Sequence, residues 1–130
     1  MIIPNFTGSF DERMQKLYEI LSQYSDIIII GSSYGGLMAT VYAMENESKV
    51  SSLILLAPAL NFLSSLDRPI RSISTPTQIY HGINDRVIPI ADVRDISKKI
   101  FANLSFFEVD DGHYLYKIFY KIEWDKLLNS

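Results

Sequence analysis

The stretch Gly31-Ser32-Ser33-Tyr34-Gly35-Gly36 constrains this chain more than any other. Four isoleucines, Ile27 to Ile30, lead into it, and a helix-like segment from Leu37 to Met44 leads out. A short all-apolar run bounded by glycine reads as a buried strand. Strand, sharp turn and helix form the setting in which G-x-S-x-G can act as a nucleophile elbow. Gly31 takes the first glycine position, Ser33 the serine and Gly35 the second glycine, with Gly36 next. In so tight a turn, a side chain two residues either side of the serine is expected to collide with the strand or the helix, and glycine has none. A Gly/Ser turn between strand and helix also occurs without a reactive serine, so the motif alone leaves both readings open. Phosphate-loop readings fail, because no lysine follows Gly36 and G-x-G-x-x-G is absent.

The rest of the chain alternates strands and helices. Met1 to Ile3, stopped by Pro4, reads as a strand. Ser9 is a candidate N-cap with Glu12 three residues on, the capping-box spacing, and Met14, Leu17, Tyr18 and Leu21 recur at helical spacing between Asp11 and Tyr24. Val50 to Leu56, Thr77 to Tyr80 and Leu104 to Val109 read as further strands. Ala91 to Ala102 and Tyr114 to Leu128 read as helices, and Leu60 to Thr75 as a short helix or loop. Alternation of this kind predicts one α/β domain over residues 1–130, a three-layer fold with about five parallel strands joined by right-handed crossovers. Ligands of such sheets bind at the carboxyl ends of the strands. Ser33, Asp85 and His113 each stand just past a strand end.

Composition narrows the chemistry. A net charge of −3 with no basic cluster argues against nucleic acid and an anionic membrane surface. No apolar run approaches the ~20 residues of a membrane span, and no signal peptide is visible, so a cytoplasmic location is expected. The absence of cysteine removes disulfides, thiolate metal sites and cysteine nucleophiles. With two histidines, His81 and His113, no metal or other cofactor is expected.

A serine hydroxyl is a poor nucleophile unless a base takes its proton and a carboxylate orients that base. His113 can be the base and Asp85 the orienter. Ser32 is an alternative serine, off the motif position, and Asp92, Asp110 and Asp111 are alternative carboxylates that capping or solvation also explains. His81 can structure the turn after its strand. Tyr34, Phe62, Leu63 and Tyr114 can line a pocket or simply pack.

Together, Met1-Ile2-Ile3-Pro4, the Gly31–Gly36 elbow, His81-Gly82-Ile83-Asn84-Asp85 with Val87-Ile88-Pro89, and Asp111-Gly112-His113 resemble the α/β-hydrolase superfamily. The resemblance spans nearly the whole chain and points to small lidless members such as the YqiA-type esterases. It implies Ser33 as nucleophile, Asp85 as orienter, His113 as base and the Tyr34 backbone N–H as an oxyanion donor. It further implies a serine esterase acting on a small ester or thioester. The departure is at the start. In this superfamily a strand with a His-Gly-type loop, the source of the other oxyanion donor, precedes everything seen here. Losing one such donor costs on the order of 10²–10³ in rate, so a catalytically weak binding module is the competing expectation. Either Met1 is internal to a longer reading frame or the gene is shortened; an in-frame His-Gly-Phe-like segment upstream would decide. With that strand gone, Met1–Ile3 is expected to pair directly with Ile27–Ile30, and a half-bare sheet face is expected to be hidden in a homodimer, which light scattering reads.

Overall fold

The structure is a computed structural model that describes residues 4–115. Helix α1, Phe10–Leu21, opens with the expected capping box. The Ser9 Oγ accepts the Glu12 N–H at 3.1 Å, and the Ser9 N–H donates to Glu12 Oε1 at 3.2 Å. Two of the free N–H groups at the helix start are thereby satisfied. Met14, Leu17 and Leu21 form its buried stripe. The helix stops short of Tyr24, which is half exposed, because the chain must reverse there; Asp26 takes φ 54° to do so.

Strand β1, Ile27–Ser32, continues through Gly31, two residues beyond the isoleucine run. Helix α2, Tyr34–Glu45, begins at once, three residues earlier than its apolar pattern suggests. Its burial is not confined to one stripe, since every residue from Gly36 to Met44 is buried. Strand β2, Val50–Leu56, follows a single 3₁₀ turn. A 3₁₀ segment at Leu60–Ser65 then leads to strand β3, Thr77–Gly82, helix α3, Ile90–Ile100, and strand β4, Leu104–Val109.

The four strands of the described residues form one parallel sheet in the order β1-β2-β3-β4. Side chains alternate between its faces. Leu53, Leu55 and Ile79 share a core with all three helices, and each is fully buried, worth about 1.5–3 kcal/mol apiece. The opposite face carries a smaller cluster of Leu56, Ala57 and Leu115, with Tyr80 and Val109 against it. Tyr80 stacks on Phe107, ring centroids 4.8 Å apart.

The isoleucine strand is not fully buried: Ile27–Ile29 are half-buried and Ile30 is 42% exposed, because among the described residues β1 pairs only with β2. No helix begins at Tyr114; residues 113–115 form a turn, with Leu115 at φ 55° and buried. The expected Met1–Ile3 strand, its pairing, and the remainder of the expected last helix lie outside the described residues.

Candidate active site

The site is built from strand ends. Ser33 stands between β1 and α2 at φ 52°, ψ −116°, a left-handed conformation that costs a non-glycine residue of order 1–3 kcal/mol. Four backbone hydrogen bonds hold it there. Its N–H donates to the Leu56 carbonyl at 2.9 Å, and its carbonyl accepts from Gly36, Leu37 and Ala59 at 3.0, 3.3 and 2.9 Å. The hydroxyl is thus presented at the end of the sheet, at the head of α2. Replacing Ser33 with glycine is expected to relieve the strain and raise the thermal midpoint by roughly 3–5 °C, about 1 kcal/mol. Alanine, which keeps the Cβ, is expected to give no such gain in the same melts.

The glycines of the elbow divide the steric work differently from expectation. A Cβ on Gly31 would lie 2.5 Å from the Gly35 carbonyl oxygen, and one on Gly36 would lie 2.6 Å from the Pro58 Cβ. A Cβ on Gly35 would meet nothing within 4 Å. The crowding expected at Gly35 is therefore absent. The turn brings Gly35's backbone, not its missing side chain, against Gly31, and α2 lies against Pro58 through Gly36.

Asp85 sits on the loop after β3. Its Oδ1 accepts the Val87 and Ile88 N–H groups, both at 2.8 Å. Its Oδ2 lies 2.8 Å from His113 Nδ1. Burial alone would raise the Asp85 carboxyl; the Ile88 N–H, the His113 ring and the Val87 N–H outweigh it and hold the group below its ordinary value. An ionised carboxylate only accepts, so His113 Nδ1 carries the hydrogen and Nε2 presents a lone pair. That Nε2 lies 3.0 Å from Ser33 Oγ. The hydroxyl, the imidazole and the carboxylate, expected from three separate strand ends, are brought into one hydrogen-bonded line.

The other candidates fall elsewhere. Ser32 is the exposed last residue of β1. Asp110 Oδ1 accepts from Asn84 Nδ2 at 3.1 Å, Asp111 Oδ1 accepts the Gly112 N–H at 2.9 Å, and Asp92 lies in the first turn of α3. Leu63 is buried in the core and lines no surface, whereas Phe62 and Tyr114 are exposed. Tyr34 is the first residue of α2, where the N–H has no partner within the helix. Its ring packs between Phe10, 5.8 Å away, and the Arg13 guanidinium, 4.8 Å above it.

Two residues beside this line also shape the site: the sequence reading gave Gly82 no separate role and gave His81 the structuring of the turn. A Cβ on Gly82 would lie 2.2 Å from the Asp111 carbonyl oxygen, so this glycine lets the turn carrying His113 close onto the end of β3. His81 is fully buried beside Asp85, its Nε2 3.2 Å from Asp85 Oδ2. The strand-end pair His81-Gly82, visible in the sequence, was the available signal for both. Beside the elbow, a groove of about 530 Å³ runs from Pro4 and Phe6 along β1 to Gly35 and Met38. No group of three or more metal-ligating side chains occurs among the described residues, and none of their helices is long and apolar enough to cross a membrane.

The titrating groups give a pH signature. Burial pushes the His81 imidazole below its ordinary value, so the unfolded chain takes up that proton first and stability falls as pH drops below about 7. Asp85 is depressed as a carboxyl, so its contribution is present above the ordinary carboxylate range and is lost as pH falls through its folded value. Melting temperatures are expected to decline from pH 7 to 5. His81→Gln should remove that limb and leave the loss below about pH 5; an unchanged slope in the variant would refute the assignment to His81.

Comparison with known proteins agrees with this architecture. The alpha/beta hydrolase fold family model matches residues 7–71, half of the chain. A predicted CIB-like hydrolase from Thermoplasma acidophilum superposes with a TM-score of 0.75 at 25% identity, over 95% of this chain and 61% of that one. An alpha-beta serine hydrolase homologue from Coxiella burnetii gives 0.66 at 23% identity, over 90% and 55%. Mouse alpha/beta hydrolase domain-containing protein 10 gives 0.74 at 15%, over 94% and 70%. The chain therefore spans about 61% of the length of the first of these. Curated proteins yield no match. With a family match over half the sequence, a parallel sheet in chain order and an elbow serine at a strand–helix junction, the chain belongs to the alpha/beta hydrolase fold family.

Proposed function

We propose that this protein is a serine hydrolase that cleaves small carboxylic ester or thioester substrates through an acyl-enzyme, in the manner of the small lidless esterases. The observation that carries the reading is the continuous line from Asp85 Oδ2 through His113 to Ser33 Oγ, with separations of 2.8 and 3.0 Å. Ser33 Oγ attacks the substrate carbonyl while His113 Nε2 takes its proton. Collapse of the tetrahedral intermediate expels the leaving group, which receives that proton from His113. Water, deprotonated by the same nitrogen, then releases the acid and regenerates Ser33. Asp85 fixes the tautomer and steadies the imidazolium. The Tyr34 N–H, at the first position of α2 where it has no partner within the helix, is the oxyanion donor supplied by the elbow.

A fluorophosphonate probe tests the reading. Covalent labelling is expected on Ser33 and is expected to vanish in Ser33→Ala, with hydrolysis of p-nitrophenyl acetate falling to background. Labelling that persists in the variant, or a wild-type protein that never labels, would remove it. A homodimer belongs to the same proposal; Ile30 and Phe107, each 42% exposed, are the apolar surface that supports it.

A further inference from the structure

We infer that His81 is a positioning residue for this site: its buried ring clamps the Asp85–Ile88 turn and so sets the Asp85 carboxylate beneath His113. The inference rests on the reading of Ser33, His113 and Asp85 as a triad.

His81 is the penultimate residue of β3, and its side chain is 0% exposed. Its Nε2 lies 2.8 Å from the Ile88 carbonyl oxygen. A carbonyl oxygen can only accept, so Nε2 bears the hydrogen. In the neutral ring Nδ1 is then a bare acceptor, and it is buried without a hydrogen-bond partner. An unpartnered buried polar atom is destabilising, and an aliphatic side chain would fill the same space without it. An imidazole here therefore needs a use for its N–H.

Two uses are present. The N–H fixes the Ile88 carbonyl, and hence the turn whose Val87 and Ile88 N–H groups both hold Asp85 Oδ1 at 2.8 Å. The same nitrogen lies 3.2 Å from Asp85 Oδ2, so the positive edge of the ring faces the oxygen that accepts from His113 Nδ1. Both carboxylate oxygens are thus restrained. Burial holds the His81 imidazole below its ordinary value, which keeps it neutral. As a cation it would compete with His113 for the same carboxylate. A small rotation of the turn would carry Asp85 away, and the error would pass through His113 to Ser33 Oγ; a misplacement of about 1 Å in such an array costs on the order of 10²-fold.

Three variants and one spectrum test this. His81→Leu is expected to lower kcat by roughly 10- to 100-fold with KM within about twofold, because His81 does not touch substrate. Gln carries an N–H about as far from the backbone as Nε2 and is expected to restore kcat to within about threefold of wild type. Asn is too short to do so. The chain has two histidines, so ¹⁵N-histidine spectra are simple to assign. Wild type should show His81 as the Nε2–H tautomer, and the His113 Nδ1–H proton resonance should be lost in the Leu variant and kept in the Gln variant. An Nδ1–H tautomer at His81, a Leu variant with kcat within twofold of wild type, or an effect confined to KM would overturn the inference. If His81→Leu does not fold, the Gln–Asn comparison and the wild-type tautomer decide. If wild type neither labels nor turns over, the triad reading fails by itself, and the spectra still report whether the clamp exists.

Discussion

Asp85→Asn is expected to lower kcat by about 10⁴-fold with KM close to wild type, and to lower the melting temperature modestly because the ionised carboxylate's contribution is lost. The amide oxygen can still accept the Val87 and Ile88 N–H groups, so the turn persists. The amide nitrogen then replaces Oδ2 and offers a donor to His113 Nδ1. The imidazole answers with its other tautomer, and Nε2 becomes a donor that cannot take the Ser33 proton. The same substitution at Asp92 or Asp110 is expected to change kcat by less than tenfold, since Asp92 lies in the first turn of α3 and Asp110 accepts from Asn84. Ester hydrolysis beside circular-dichroism melts separates the cases. A loss below tenfold for Asp85→Asn would remove Asp85 from the mechanism.

The second large effect is steric. Gly82→Ala is expected to destabilise the protein by about 2–4 kcal/mol and to lower the hydrolytic rate at least tenfold. The added methyl meets the Asp111 oxygen at 2.2 Å and the Gly112 oxygen at 2.6 Å. Both belong to backbone, so no side chain can swing aside. The turn must lift from the strand, and His113 lifts with it. Gly35→Ala is the control. Its Cβ meets nothing, and α2 gains a better helix former, so stability should hold or rise by up to about 1 kcal/mol. Equal losses in the two variants would mean that the close approach at Gly82 does not carry the geometry of the site.

The sequence made legible what local rules encode. The capping box at Ser9 and Glu12, the apolar strand cores and the helix read from Ala91 onward all appear close to where their patterns put them. So does the strand-end placement of Ser33, Asp85 and His113, because strand–loop alternation fixes which residues reach the sheet edge. Helix and strand ends were less legible. Gly35 and Gly36 are poor helix formers, yet they sit inside α2 because Ser33's left-handed turn and the contact with Pro58 set the start of that helix. The steric duty expected at Gly31 is there, but the share assigned to Gly35 falls to Gly36 and Gly82, whose neighbours Pro58 and Asp111 are known only once distant segments have met. That His81 structures the turn was legible from its place at the strand end; its partner, a carbonyl seven residues away, was not.

The order of the sheet has one more consequence. Ser33 follows the first described strand, Asp85 the third and His113 the fourth, and each strand pairs with the next in the chain. On the ribosome the elbow can form early, but under the proposed mechanism its hydroxyl is expected to stay chemically idle until β4 has docked and delivered the imidazole. Acquisition of probe reactivity during refolding is then expected to be a clock for the closing step of sheet assembly, read at a single atom.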